Sequence, residues 1–77
     1  MNVYIATFYS HFGAMMYFKE LKNQGITGKL MPVPRKVSSS CGTCVRYENA
    51  LAVEHDGCEL DSIYIEAGGR FDRVLSK

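Results

Sequence analysis

The sequence predicts an α+β domain of the ferredoxin-like type, with four antiparallel strands and two helices on one face, in the order β-α-β-β-α-β. Three observations lead to this fold. Strand-like and helix-like patterns alternate in that order along the 77 residues. The first strand is apolar on both faces, as a covered central strand requires. The second contains Pro32 and Pro34, which cannot donate to a hydrogen-bond ladder and therefore belong at a sheet edge. The strand order 4-1-3-2 satisfies both requirements.

The first strand is predicted over residues 2–9, which are rich in β-branched and aromatic side chains and lack Gly and Pro. A helix follows over residues 11–24. Ser10 suits its N-cap, because the hydroxyl can accept a hydrogen bond from a free N–H one turn into the helix. Gly25 suits a helix end with positive φ, and His11 is interpreted as a surface residue. The apolar stripe of the helix contains Ala14, Met15, Phe18 and Leu21.

The later elements follow from shorter patterns. They are a second strand at 26–34, a polar turn at 35–42, a third strand at 43–47, a short helix at 48–56 and a last strand at 62–67. The second and third strands form a hairpin whose turn carries Cys41. We expect one domain over residues 1–77, with residues 68–77 as a loosely ordered tail or a short amphipathic turn.

Composition limits the classes of function. A chain of 77 residues buries only about 60% of its unfolded surface, so we expect self-association, with a homodimer as the simplest form. The net charge of +1 gives no general attraction to nucleic acid. No apolar run approaches the roughly 20 residues that span a membrane. Three cysteines are an odd number, which argues against a secreted disulfide framework and favours the reducing cytoplasm.

Charge is unevenly distributed along the chain. From Lys29 to Arg46 there are four cations and no acids, whereas from Glu48 to Glu66 there are six acids and no Lys or Arg. This pattern has two interpretations. Either the molecule has two solvated surfaces of opposite sign, or the basic stretch forms an environment suited to a thiolate or an anionic ligand.

Cys41 and Cys44 form a C-x-x-C motif with several readings. A structural zinc site needs four ligands, but only Cys58, His11 and His55 remain, at no recognisable spacing. A thioredoxin-type dithiol needs a helix after its first cysteine, whereas the residues after Cys44 predict a strand. A thiol–disulfide couple on another fold stays open.

A third reading is a single reactive thiol at Cys41, since positive charge and N–H groups favour the thiolate over the thiol. An ordinary turn cysteine is the simpler alternative. Cys58 lies among acids, which disfavour a thiolate, and is interpreted as structural. The groups predicted to stabilise an anion at Cys41 are the hydroxyl and N–H groups of Ser38, Ser39, Ser40 and Gly42, which can form a nest, and the cations of Arg35, Lys36 and Arg46.

The stretch from Met31 to Tyr47 resembles a small bacterial family of selenium/sulfur carrier-like proteins. The similarity lies in the runs Met31-Pro32-Val33-Pro34-Arg35 and Ser38-Ser39-Ser40-Cys41-Gly42, followed by a strand with Arg46-Tyr47, and it extends from Tyr4 through the last strand. The resemblance implies a cysteine that carries sulfur or selenium as a persulfide or selenosulfide, with Cys41 at the matching position. Cys44 is a second thiol that the family pattern does not place.

We therefore predict a cytoplasmic carrier in which the Cys41 thiolate takes sulfur or selenium from a donor protein and passes it to an acceptor protein. Two other classes stay open: a dithiol redox protein using Cys41 and Cys44, and a non-catalytic binding module. The sequence offers no paired carboxylates near the thiol, no Ser-His-Asp candidate and no Gly-rich phosphate loop. We accordingly predict no cofactor, metal, nucleic acid or membrane partner, and the sequence leaves open whether the protein is an enzyme.

Overall fold

The backbone of the protein, seen in a computed structural model, forms a five-stranded antiparallel sheet with one helix in the residues that the structure describes, which are 3–37, 42–48 and 59–76. The elements are β1 (Val3–Phe8), α1 (His11–Asn23), β2 (Gly28–Pro32), β3 (Thr43–Glu48), β4 (Leu60–Ala67) and β5 (Arg70–Ser76). The strand order is β2-β3-β1-β4-β5. The described residues contain no helix with the length and apolarity that crossing a bilayer requires.

The α+β class and the relative order of the first four strands agree with the prediction. β1 is central and buried along most of its length, between β3 and β4. β2 is an edge strand, because Pro32 has no N–H to offer to a second neighbour. β3 lies between β1 and β2 and is antiparallel to both, so α1 connects two strands that run in the same direction.

The predicted count of four strands and two helices is corrected. Residues 70–76, expected in a loose tail, form β5. Gly68 and Gly69 have φ of 56° and 82°, and two consecutive positive φ angles make the tight turn that reverses a right-twisted strand into a hairpin. Of the predicted second helix at 48–56, Glu48 is the last residue of β3, and residues 49–56 lie outside the described residues.

α1 begins and ends close to the predicted positions. Ser10 is its N-cap, with the hydroxyl accepting from the Gly13 N–H at 3.1 Å, and Gly25 follows the helix with φ of 75°. The buried face differs from the predicted stripe. Tyr17 is 1% exposed and Met15 is 45% exposed, because α1 turns the residues at 14, 17 and 21 toward the sheet.

The core between α1 and the sheet is rich in tyrosine. Tyr17 on α1 packs between Phe8 and Tyr47, with ring centroids 5.2 and 5.7 Å away, and Tyr47 also packs on Tyr4 at 5.6 Å. The Tyr17 hydroxyl donates to the Tyr47 hydroxyl at 3.2 Å. Burial raises the pKa of Tyr47 far above its ordinary value. The other members of the cluster are Ala6, Ala14, Leu21, Val45 and Ile63.

Part of the face of the sheet opposite α1 is also buried. Side chains alternate between the faces of a strand, and Ile5, Thr7 and Cys44 point away from the tyrosine core yet are at most 1% exposed. The connection after β2 reaches the far edge of the sheet. In that connection Val37 is buried, and the Lys36 ammonium donates to the Gly69 carbonyl at 3.0 Å, although Gly69 lies in the turn beside the opposite edge strand.

Candidate functional site

The candidate site lies at the end of the sheet where β1 ends, α1 begins and β3 begins, which we call the upper end. Thr43 pairs with Pro32 there, and Phe8 pairs with Leu60. The opposite, lower end holds Val3, Glu48 and Glu66, which are paired across β1. The two ends are about 17 Å apart, as expected for a six-residue strand.

Two backbone hydrogen bonds lie close to the C-x-x-C motif in the chain. The Val33 N–H donates to the Gly42 carbonyl at 3.0 Å, which extends the pairing of β2 and β3 by one step. The Val37 N–H donates to the Pro34 carbonyl at 3.0 Å, which closes a turn. Gly42 is exposed. Cys41 and the predicted anion-binding serines Ser38, Ser39 and Ser40 lie outside the described residues, directly before Gly42 in the chain.

Cys44, the second thiol of the motif, is fully buried. It lies on β3 in the row formed with Thr7 of β1 and Met31 of β2, on the face opposite α1. Its exposed fraction is 0%, and its Sγ is 3.7 Å from the Pro32 carbonyl oxygen, to which the thiol donates. A thiol in this position reaches a solvent reagent only when the packing around it opens.

Two of the three predicted cations have partners at the lower end. The Arg46 Nε is 3.6 Å from Glu66 Oε1, and the Lys36 ammonium donates to Gly69. Arg46 faces Lys29 directly across the β2–β3 pair. Because like charges directly opposite each other repel, the Arg46 guanidinium is better placed beside the Glu66 carboxylate than beside the Lys29 ammonium. Arg35 is exposed. Proximity in sequence therefore does not bring Arg46 and Lys36 to the upper end.

The upper end contains a histidine that the sequence analysis treated as a plain surface residue. His11, the first residue of α1, is exposed, and its Nδ1 is 3.0 Å from the Thr43 hydroxyl oxygen. Thr43 is two positions after Cys41. These side chains are 32 residues apart in sequence, so only the strand order, which places the end of β1 beside the start of β3, could have indicated the contact.

A carboxylate also contacts the start of α1. The Tyr9 N–H donates to the Glu59 carbonyl at 2.9 Å, and the Ser10 hydroxyl donates to the Glu59 carboxylate. Glu59 has φ of 56°, a left-handed conformation that is uncommon for a non-glycine residue. A negative charge near a helix N-terminus is favourable, and the two contacts hold the Glu59 backbone in place.

The described residues contain no group of three or more His, Cys, Asp or Glu side chains that could hold a metal ion. Comparison with protein families gives one informative result. A family model described as "Putative Se/S carrier protein-like" matches residues 3–63, which extend from β1 into β4. No curated protein and no solved structure matches the chain.

Proposed function

Because the chain belongs to the Se/S carrier protein-like family, we propose that it carries sulfur or selenium on the thiol of Cys41. Family membership supports the carrier role, and the position of Cys41 beside Gly42 supports the choice of thiol. Gly42, the next residue along the chain, is exposed at the upper end.

The proposed chemistry is an exchange at a sulfur–sulfur bond. The Cys41 thiolate attacks the terminal sulfur of a donor persulfide; the donor S–S bond breaks, and its electron pair leaves with the donor as a thiolate. Cys41 then holds the transferred sulfur as a persulfide. An acceptor thiolate attacks that sulfur in the same way and releases the Cys41 thiolate. No net oxidation or reduction occurs in either step, and a selenium atom in the terminal position follows the same path.

The observation that carries the single-thiol mechanism is the burial of Cys44. A dithiol mechanism needs both sulfur atoms of the motif to meet and exchange with a partner. Cys44 is 0% exposed and donates to the Pro32 carbonyl inside the β2–β3 pair. Moving its Sγ to a neighbouring thiol would break this packing, which disfavours the redox alternative.

Anion stabilisation at Cys41 is the second part of the proposal. The nest of Ser38, Ser39, Ser40 and Gly42 provides N–H and hydroxyl donors. Arg35 is the cation that we place first, because it is exposed and belongs to the connection that leads to Cys41. Lys36 and Arg46 contribute only by leaving Gly69 and Glu66, their present partners.

The partners that this chemistry requires are a protein that forms a persulfide or selenosulfide and a protein that accepts the transferred atom. A free carrier thiol needs a reducing compartment, so we place the protein in the cytoplasm. Self-association of two copies belongs to the same proposal, since a chain of 77 residues has little surface to bury alone.

The test is to treat the reduced protein with a small-molecule persulfide and to follow its intact mass and the modified peptide. We expect the wild type and Cys44→Ala to gain one sulfur atom at Cys41, and Cys41→Ser to gain none at that position. Alanine suits the buried position 44, because serine would place a hydroxyl there. Equal labelling of Cys41→Ser, or a folded Cys44→Ala that takes no sulfur, would contradict the proposal.

A further inference from the structure

We propose that the outer edge of β2 binds an extended segment of a partner protein, antiparallel to β2 like the other strands of the sheet. In that segment an acidic residue lies between two apolar residues. The inference goes beyond the carrier role and does not depend on it. It rests on three observations, which are the open backbone groups of β2, a cavity beside them and the positive charge at the same place.

The hydrogen-bond pattern identifies the backbone groups that β2 leaves open. In an antiparallel pair, residues that bond to the partner strand alternate with residues whose N–H and C=O point away from it. Val33 donates its N–H to the residue that precedes β3, so Met31 and Lys29 also bond toward β3. Gly28 and Leu30 then direct their N–H and C=O groups outward. In the part of the chain that the structure describes, no strand pairs with that side of β2.

The other edge strand, β5, is less suited to accept a further strand. Its pairing with β4 shifts register between Ile63 and Tyr64, and such a bulge bends a strand and interrupts its ladder of hydrogen bonds. The pairing of β2 with β3 continues from Gly28 to Pro32 without a shift. β2 is therefore the edge strand with a regular row of open backbone groups.

A cavity of about 310 Å³ lies between the end of α1 and the start of β2. The described residues that line it are Phe18, Lys22, Gly25, Ile26, Thr27 and Gly28. Phe18 and Ile26 are partly buried against the core and supply most of the apolar side-chain surface. In strand addition, main-chain hydrogen bonds provide affinity and pockets for alternate side chains provide specificity. This cavity is such a pocket beside an open edge.

The alternation of β2 determines which side chains of the bound segment reach the cavity. Gly28 and Leu30 lie on the face of the sheet that carries α1, and Leu30 packs against the core there. Directly opposed residues of neighbouring strands have their side chains on the same face. The segment residues opposite Gly28 and Leu30 therefore point toward α1, where an apolar side chain is favourable because it leaves water.

The position between these two residues has a different environment. Lys29 is exposed and lies with Arg46 on the face opposite α1. Arg46 pairs with Glu66, whereas no ion pair joins Lys29 to an acid within the described residues. A segment residue opposite Lys29 lies beside its ammonium group, where a carboxylate is favourable. The preferred order is therefore apolar, acidic, apolar.

Charge also favours a partner protein over a second copy of this chain. Lys22 adds an exposed cation at the cavity, and none of the described residues that line the cavity is acidic. Two β2 strands paired about Lys29 or either neighbour would place the Lys29 side chains of the two copies directly or diagonally opposite each other. Like charges in those positions repel, so an acidic segment is the better occupant.

The experiment measures binding of a fluorescent synthetic peptide, Ser-Thr-Leu-Glu-Val-Thr-Ser with both ends blocked, to the full chain. A second peptide has Lys in place of Glu. A third is N-methylated at Leu and Val, whose N–H groups would face β2, and a fourth is N-methylated at Glu, whose N–H would face away. Fluorescence anisotropy gives the affinities, and amide chemical shifts in NMR spectra locate the site.

Two protein variants test the charge. Lys29→Glu reverses the charge on β2, and Arg73→Glu is the matched control, because Arg73 is an exposed cation on the other edge strand. We expect the wild type and the control to bind the Glu peptide about three- to tenfold more tightly than the Lys peptide. Lys29→Glu should reverse this order.

The backbone groups are tested by the methylated peptides and by the shifts. Methylation at Leu and Val should abolish binding, and methylation at Glu should change it little, because only the former removes donors that face β2. The largest amide shifts in the wild type should occur at Gly28, Lys29 and Leu30. If Lys29→Glu does not fold, the four peptides with the wild type decide the matter.

Several outcomes would overturn the inference. They are the absence of binding by the folded wild type at millimolar peptide, equal affinities for the Glu and Lys peptides, and equal effects of the two methylation patterns. Shifts at Gly28 and Leu30 that grow with protein concentration in the absence of peptide would assign the edge to a second copy instead. The persulfide experiment involves neither the peptide nor this edge, so its outcome tests the carrier role separately.

Discussion

Two cysteines of one motif occupy different environments because of the strand that carries the second. Position 44 points away from α1 and is buried on the opposite face of the sheet, where a cysteine behaves as a small apolar residue. Its chemistry is limited by burial (0% exposed) rather than by the charges near it in sequence. The spacing C-x-x-C alone carries no information on burial, which depends on where β3 begins.

The first residue-scale prediction is that Cys44 is protected from alkylation. In the native protein its rate of reaction with iodoacetamide should follow the opening of the structure around it, and it should rise steeply as urea is added. Peptide-resolved mass spectrometry of the alkylated chain gives the rate. A native-state rate for Cys44 equal to the rate in concentrated urea would contradict its buried position.

The second residue-scale prediction concerns Tyr47 and alkaline pH. Its pKa in the folded protein is raised by burial above the value of about 10 that an exposed tyrosine has. Above about pH 10 the folded state therefore keeps a proton that the unfolded state loses. The contribution of the protonated Tyr47 to the free energy of unfolding is fully present below about pH 10 and is lost as the pH rises further.

Urea unfolding of the wild type and Tyr47→Phe measures this effect. We expect the free energy of unfolding to fall more steeply with pH above about pH 10 in the wild type than in the variant. At neutral pH, loss of the hydrogen bond with Tyr17 should cost Tyr47→Phe about 1 kcal/mol. Parallel pH profiles for the two proteins would show that ionisation of Tyr47 is not linked to unfolding.

At the scale of elements, the close approach of α1 to β2 depends on a glycine. A Cβ atom at Gly28 would lie 3.0 Å from Leu21 Cδ1 and 3.6 Å from both the Arg46 carbonyl oxygen and Val45 Cγ1. Leu21 is 0% exposed, so its side chain has little room to move. Gly28 therefore begins β2 at the point where the helix and the edge strand are in contact.

We predict that Gly28→Ala lowers the free energy of unfolding by about 1 to 2 kcal/mol through overpacking. Gly42→Ala is the matched control for stability, because a Cβ there would meet nothing within 4 Å. Adding Leu21→Val to Gly28→Ala should cost less than the sum of the two single changes, since the smaller side chain leaves room for the methyl group. Urea denaturation of the wild type, the three single variants and the double variant checks this, and equal stability of Gly28→Ala and Gly42→Ala would contradict it.

At the scale of the whole molecule, strand order was the most predictable feature. The apolar pattern of β1 and the proline in β2 were enough to place one strand at the centre and the other at an edge. β5 was not predicted, because charged, exposed residues such as Arg70, Asp72 and Arg73 interrupt its short apolar pattern. In addition, the sequence Gly68-Gly69 is equally compatible with the end of a strand and with a hairpin turn. Local sequence patterns do not predict contacts between residues that are distant in sequence. Two such contacts are those of His11 with Thr43 and of Arg46 with Glu66.

β5 raises the question of where the cooperative unit ends. The family match stops at residue 63, inside β4, whereas the sheet continues to residue 76. Without β5, β4 becomes an edge strand with unpaired backbone groups, and the Lys36 contact with Gly69 is lost. β5 pairs with most of β4, so we expect it to unfold together with the rest of the sheet.

The last prediction is that a chain ending at Ala67 has a much lower free energy of unfolding than the full chain, or associates through the exposed edge of β4. The loss should amount to several kcal/mol, a large part of the roughly 5 to 15 kcal/mol that stabilises a typical domain. Removal of Lys77 alone is the matched control, because it leaves β5 intact. Urea unfolding and size-exclusion chromatography measure stability and association. A shortened chain that remains monomeric and has the same unfolding midpoint as the control would contradict this prediction. The cooperative unit would then end within β4, and β5 would not contribute to it.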